Sequence, residues 1–424
     1  MSLYARIRKR TQSGYVILLI VLLPFLFGFL NEILMLPYAI RYAIDLLWLF
    51  LLFVLIYFQH KIHYRNIRLL LWWVFAFFAV SVALYALNFQ SPLYYLWGVR
   101  NNFRFYPFFF AACVFQTDQD AEDYLKLFEV LFWINAVVSL IQYFVFDIQR
   151  DNLGGLFGTE QGCNGFTNIF FVIIITKSLL YFLHGKEKLI YCGLKCAVIL
   201  VIAAMAELKF FFLEFVVIVI LTVLITRFSW RNLLIIVGGG IGVIVGTAML
   251  LQIFPEFSNM MSLKGFYQVA VSKRGYTSSG DLNRLTVIPL VNKWFLRNPL
   301  DQMFGLGLGN CDTSNFELLN TYFYKRYRRT HYNWLSTAFM YLEMGYVGLI
   351  FLFGFFIIYY FLATKRQKMD DANVLYCQMG RVLSILTLFI LVYNASMRIE
   401  SAYMLYLFLA FPFMKRQTIK NSEI

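Results

Sequence analysis

Apolar stretches about twenty residues long recur along nearly the whole chain, near 15–36, 38–58, 67–88, 94–116, 124–146, 165–183, 189–206, 208–227, 233–254, 333–362, 376–396 and 399–414. A helix of that length matches the hydrocarbon core of a bilayer, and a fold in water could not bury so many of them. The runs are apolar on all sides rather than alternating, so they predict helices and not barrel strands. Hydrophobic residues make up 61% and charged residues 14% of the 424 positions, which excludes a water-soluble globule of this size. The chain therefore predicts an all-α polytopic integral membrane protein, a single transmembrane domain over 1–424 with about twelve spans. The first run, Tyr15 to Leu36, follows Arg6, Arg8, Lys9 and Arg10; it exceeds a signal-peptide core, no small-residue cleavage site follows, and it reads as an uncleaved span.

Counting spans alternately puts Arg6 to Arg10, then Lys61, Arg65 and Arg68, then Lys186 and Lys188, then Arg227 and Arg231, then Lys365, Arg366 and Lys368, then Lys415, Arg416 and Lys420 on one side. That side is the cytoplasm, with both termini in it. The opposite side receives the loops at 147–164 and 254–332. The second breaks the charge pattern, carrying Lys264, Lys273, Arg274, Arg284, Lys293, Arg297, Lys325, Arg326, Arg328 and Arg329 against few acids. Long loops translocate regardless of charge. The excess has two readings: attraction to anionic lipid headgroups, or a clamp for an anionic substrate such as a lipid-linked diphosphate. Six cysteines make no framework and no Cys/His cluster has zinc spacing; Cys163 and Cys311 both face the extracytoplasmic side, which leaves a pairing between them open.

Ionisable residues at membrane depth mark candidate sites. Arg41 and Asp45 stand at i and i+4, where they meet on one helix face, either as a self-neutralising pair or as a substrate contact. Arg100 and Arg104 share a face of the fourth run beside Asn101 and Asn102 with no acid along the helix; they call for a phosphate, or for Asp45 or another buried acid of a neighbouring helix. The loop from Arg150 to Gly165 is rich in Gly and polar residues, a flexible turn that could also bring backbone N–H groups to an anion. Lys209 heads the eighth run, where it could snorkel to the headgroups, and Glu214 lies deeper, requiring a neutral form or a basic partner.

In the long loop, Asp281 reads as the N-cap of an amphipathic helix through Leu282, Leu285, Ile288 and Trp294, kinked or divided at Pro289 and ended by Pro299. Arg284 falls in its first turn, against the helix dipole. Gly305, Gly307 and Gly309 alternate with leucines; the spacing is not a dinucleotide fingerprint and permits close approach of a helix or a ligand. His331 is the only one of four histidines on the extracytoplasmic side, since His60, His63 and His184 fall in cytoplasmic loops. Neighbouring cations would hold it neutral near pH 7, the state a general base needs.

The Gly-x-Gly-x-Gly at 305–309, His331-Tyr-Asn333 after a long loop, and Leu342-Glu343-Met-Gly345-Tyr-Val-Gly348 opening the next span together resemble the O-antigen ligase and polymerase superfamily of bacterial envelope enzymes. The Arg284 helix ending in Trp294 and Asn298-Pro299 fits as well, as does Leu156-Phe-Gly158-Thr with Asn164. The resemblance implies a GT-C-like membrane glycosyltransferase fold. It implies transfer of a glycan from an undecaprenyl-diphosphate-linked donor to an acceptor hydroxyl at the outer face of the bacterial cytoplasmic membrane, with no cofactor and no metal. His331 would then activate the acceptor, Arg284 would hold the diphosphate, and the family's other arginine would fall on Lys209, where a point charge replaces the planar fork. Arg41, Arg100, Arg104, Gly307, Gly309 and Asn333 complete the expected substrate contacts. The expected partners are lipid-linked donor and acceptor, membrane lipids and a chain-length regulator protein, and no nucleic acid. Polymerisation of repeat units is the leading expectation and ligation to lipid A core the alternative. A lipid-linked oligosaccharide flippase would also explain intramembrane charge, but such transporters more often show paired halves with interrupted helices, and no internal repeat is seen.

Overall fold

The computed structural model describes residues 11–58, 66–226, 229–253, 255 and 282–416. The N-terminal arginines, Lys61, Arg65, Arg227, Lys264, Lys273, Arg274, Asp281 and Lys420 lie outside these, as do His60 and His63. The described residues are helical throughout, joined by turns and one isolated bridge between Thr117 and Lys415. In chain order the α-helices are α1 (Gln12–Gly28), α2 (Ala43–Tyr57), α3 (Arg68–Leu87), α4 (Pro92–Phe103), α5 (Phe105–Phe115), α6 (Asp118–Phe144), α7 (Asn164–Leu183), α8 (Leu189–Met205), α9 (Lys209–Ile225) and α10 (Trp230–Ile253). After the long loop come the short α11 (Val287–Trp294), α12 (Pro299–Phe304) and α13 (Tyr322–Tyr327), then α14 (Ser336–Arg366), α15 (Val374–Tyr393) and α16 (Ala402–Ala410).

Among the described residues, eight helical stretches are long and apolar enough to cross a membrane: Gln12–Ile33, Ala39–Tyr57, Arg68–Leu87, Asp118–Phe144, Asn164–Leu183, Trp230–Met249, Ser336–Arg366 and Val374–Tyr393. The remaining apolar runs form shorter helices, Phe105–Phe115, Leu189–Met205 and Ala402–Phe413, together with the 17-residue α9. Helices α7, α15 and α16 form the centre and bury most of their surface. At the periphery, Leu46, Phe53, Trp72, Phe75 and Ile244 turn outward, an apolar surface suited to lipid rather than water.

Two helices expected to be continuous are interrupted. The run at 94–116 divides at Arg104, which separates α4 from α5. Helix α14 breaks at Gly345, whose φ of 58° and ψ of −152° are non-helical. The break releases the carbonyls of Leu342 and Glu343, which accept the N–H groups of Leu306 and Gly307 at 2.8 Å each. A Cβ at Gly345 would stand 2.4 Å from the Gln302 carbonyl oxygen, so glycine is required for α12 to dock here.

The 282–297 segment also departs from expectation. Its helix begins only at Val287, so Arg284 occupies the preceding turn and not the first helical turn, and the conflict with the helix dipole disappears. Pro289 neither kinks nor divides α11, because it lies in the first turn, where a missing N–H breaks no helical bond. The Gly-rich loop at 150–165 is pinned rather than flexible. The N–H of Gly155 donates to Gln142 Oε1 at 2.7 Å, that of Leu156 to Asn135 Oδ1 at 2.9 Å and that of Thr159 to Glu32 Oε1, so protein acceptors take the groups expected to face an anion.

Candidate functional site

Three distant segments meet at the end of α15. Arg284 Nε donates to the Tyr393 carbonyl at 2.8 Å, and its guanidinium lies 4.2 Å from the centre of the Tyr393 ring. Phe210, the residue next to Lys209, also stacks on that ring, at 3.9 Å and 6°. One residue on, the Asn394 carbonyl accepts both the N–H of Ser336, at 3.2 Å, and its hydroxyl, at 2.8 Å, which fixes the start of α14 just after His331. Finally, the Leu282 N–H donates to the Thr330 carbonyl at 3.0 Å, laying the Arg284 turn alongside the His331 turn. The turns that carry Arg284 and His331 are thereby adjacent, and Phe210 brings the start of α9, which Lys209 opens, to Tyr393.

His331 has a left-handed backbone (φ 52°, ψ 28°) between two 3₁₀ turns and stacks its ring on Trp334 at 4.0 Å. Asn333 belongs to the second of those turns, Tyr332–Trp334. Tyr332, fully buried, donates its hydroxyl to the Cys311 carbonyl at 2.5 Å and anchors the histidine turn to the Gly-rich segment. Tyr332→Phe is expected to cost about 1–3 kcal/mol, since a buried carbonyl loses its donor, and to lower the unfolding temperature in detergent. An unchanged temperature would show that this bond does not hold the turn. Lys209 Nζ lies 2.8 Å from Glu207, which stands 3.8 Å from Arg150, so the lysine is held at the corner by a carboxylate. Sequence reasoning missed Tyr393, Phe210 and Glu207; the one available signal was an aromatic residue followed by Asn at the end of an apolar run.

The other arginines expected to bind substrate are met by acids. Both Asp45 oxygens accept from Arg100 Nε at 3.1 Å, and Arg100 Nη2 adds a contact at 2.7 Å. Arg104, 1% exposed, reaches Glu400 at 2.9 Å, Asp45 at 3.4 Å and the Arg398 carbonyl at 2.9 Å. Arg398 in turn pairs with Asp312 at 2.8 Å, and Asn101 donates to the same carboxylate oxygen at 2.8 Å. The demand of Arg100 and Arg104 for an anion is thus satisfied inside the protein. Arg41 does not meet Asp45; it pairs with Glu160 at 2.8 Å, because the planar fork of Arg100 on a neighbouring helix already grips both oxygens of Asp45. Glu160, in the loop outside the spans, has its pKa raised by burial and by the nearby Glu32 carboxylate.

The three glycines bring helices together. All have positive φ (71°, 99° and 87°), and a Cβ on Gly309 would lie 2.0 Å from the Tyr94 carbonyl oxygen of α4. A Cβ on Gly307 would lie 2.4 Å from Gln90 Oε1, the end of a side chain. These positions close the loop onto α4 and α14, which leaves their expected substrate contact without room for a ligand at the Cα. Cys163 and Cys311 are free thiols. Glu214 is buried on α9 with no hydrogen-bond partner for either carboxylate oxygen among the described residues.

A small cavity of about 20 Å³ lies beside Asn101, Phe105 and Arg398, and an apolar cleft of about 420 Å³ runs between α7, α8, α9 and α10. Neither is lined by His331, Arg284 or Lys209. No group of three or more His, Cys, Asp or Glu suited to a metal ion occurs among the described residues. No family model, curated protein or solved structure matches the chain.

Proposed function

We propose that this protein is a metal-independent, inverting glycosyltransferase of GT-C-like architecture with about twelve spans, polymerising undecaprenyl-diphosphate-linked repeat units at the extracytoplasmic face of a bacterial cytoplasmic membrane. What supports the reading is that Arg284 and Phe210, the residue after Lys209, both contact Tyr393, while the Arg284 turn is hydrogen-bonded to the turn that precedes His331. In the reaction, His331 takes the proton of an acceptor sugar hydroxyl as its oxygen attacks the anomeric carbon. The bond from that carbon to the diphosphate oxygen breaks, and the leaving diphosphate carries the electron pair away. Arg284 and Lys209 bind its growing charge, which replaces a general acid. The imidazolium then returns its proton to water.

Incubating the purified protein with lipid-linked repeat units and separating the products on a gel tests this. A ladder of lengths supports polymerisation; product only on addition of lipid A core would make the protein a ligase; no transfer to either acceptor would refute the proposal. Arg284→Lys and Arg284→Ala are both expected to lower turnover on the order of 100-fold, because the planar fork is what grips the leaving group. Wild-type turnover in the lysine variant would remove Arg284 from the site.

A further inference from the structure

The cations of the long loop fall into two structurally different sets. Arg284 is built into the Tyr393 corner, whereas Lys325, Arg326, Arg328 and Arg329 are exposed, and none of the four pairs with a carboxylate among the described residues. They stand on a rigid base. Phe323 and Tyr327 turn inward onto Phe295 at 5.1 and 4.8 Å, and Phe323 also meets Tyr332 at 5.3 Å. On the outward side, Phe316, Leu318 and Tyr322 are 48%, 75% and 72% exposed beside the four cations. The segment runs at the level of the helix ends: Trp97 of α4 donates to the Thr313 carbonyl at 3.1 Å, and Phe316 packs 5.1 Å from Tyr42 at the head of the second membrane-crossing stretch.

We infer that residues 316–329 form an interfacial anchor that seats Phe316, Leu318 and Tyr322 in the bilayer surface and binds the anionic headgroups of phospholipids through Lys325, Arg326, Arg328 and Arg329. Large apolar side chains exposed at the helix ends favour insertion at the boundary, and cations without a carboxylate partner beside them are complementary to lipid phosphates. Glu317 is the single acid in 313–330, so the surface is strongly one-signed. The anchor ends two residues before His331, whose N–H donates to the Arg328 carbonyl at 3.1 Å; the membrane surface thereby sets the height of the histidine turn. The inference does not require the transfer reaction.

The test places a nitroxide on a Tyr322→Cys variant reconstituted in nanodiscs of phosphatidylcholine with and without phosphatidylglycerol, and reads its depth by power saturation. Native cysteines interfere little, five being buried and Cys196 lying within α8. The expected result is headgroup depth with phosphatidylglycerol and a shift toward water without it. Replacing all four cations by Gln should abolish the dependence on phosphatidylglycerol, and each single replacement should weaken the apparent lipid affinity by up to roughly fivefold. A label that stays aqueous in phosphatidylglycerol, or whose depth ignores both the lipid and the Gln variant, overturns the inference. So does a label that moves only when undecaprenyl diphosphate is added, which would assign the surface to substrate instead.

Discussion

His331→Ala is expected to slow glycan transfer by roughly 100- to 10,000-fold, the usual contribution of one positioned general base. The protein should keep its unfolding temperature, because the ring stacks on Trp334, itself 48% exposed, at the edge of the fold. In cells, lipid-linked repeat units should still reach the outer leaflet while chain growth stops. That second readout separates the two classes of function considered for the chain. If the alanine variant also blocked translocation of the lipid, the corner would belong to a transporter and the glycosyltransferase reading would fail.

A larger effect on the fold is expected from Gly309→Ala. The residue sits at φ 87°, and an added Cβ would lie 2.0 Å from the Tyr94 carbonyl oxygen and 3.1 Å from the Gly98 N of α4. Both are backbone atoms, so no side chain can rotate away and the loop must separate from the helix. The expected cost exceeds ~4 kcal/mol, the upper end for single substitutions, and should be seen as loss of the monodisperse peak on size exclusion in detergent. Gly240→Ala is the matching control, since nothing lies within 4 Å of the point its Cβ would occupy, and it should behave as wild type. A monodisperse Gly309→Ala variant would contradict the close packing of α4 on the glycine segment.

The membrane-helix class was legible because hydrophobic length is a local property. The two breaks differ in legibility: Pro107 has no N–H for the Phe103 carbonyl, a local cause of the division at Arg104, whereas the break at Gly345 answers to another segment, since α12 needs room there. The site residues Arg284, His331 and Lys209 could be picked out singly, but the residue that joins them, Tyr393, is an ordinary aromatic at the end of an apolar run. The same limit explains the arginine pairs, whose acids Asp312 and Glu400 lie far along the chain. It also explains the buried cluster in which Lys177 and Lys195 both contact Glu129, and Lys195 reaches Glu187 at 3.0 Å. A one-dimensional reading counts charges along each run; it does not say which helices become neighbours.

The partnership of Arg104 with Glu400 bears on how the protein is made. The guanidinium emerges from the ribosome nearly three hundred residues before its principal carboxylate, with Asp45 alone, at 3.4 Å, as an earlier companion. Until the last helices are synthesised, α4 and α5 carry an incompletely neutralised charge into a medium that solvates it poorly. Full neutralisation of Arg104 therefore waits on Glu400, and a chain stopped before position 400 is expected to turn over faster in cells than the full chain, because its buried guanidinium keeps Asp45 alone.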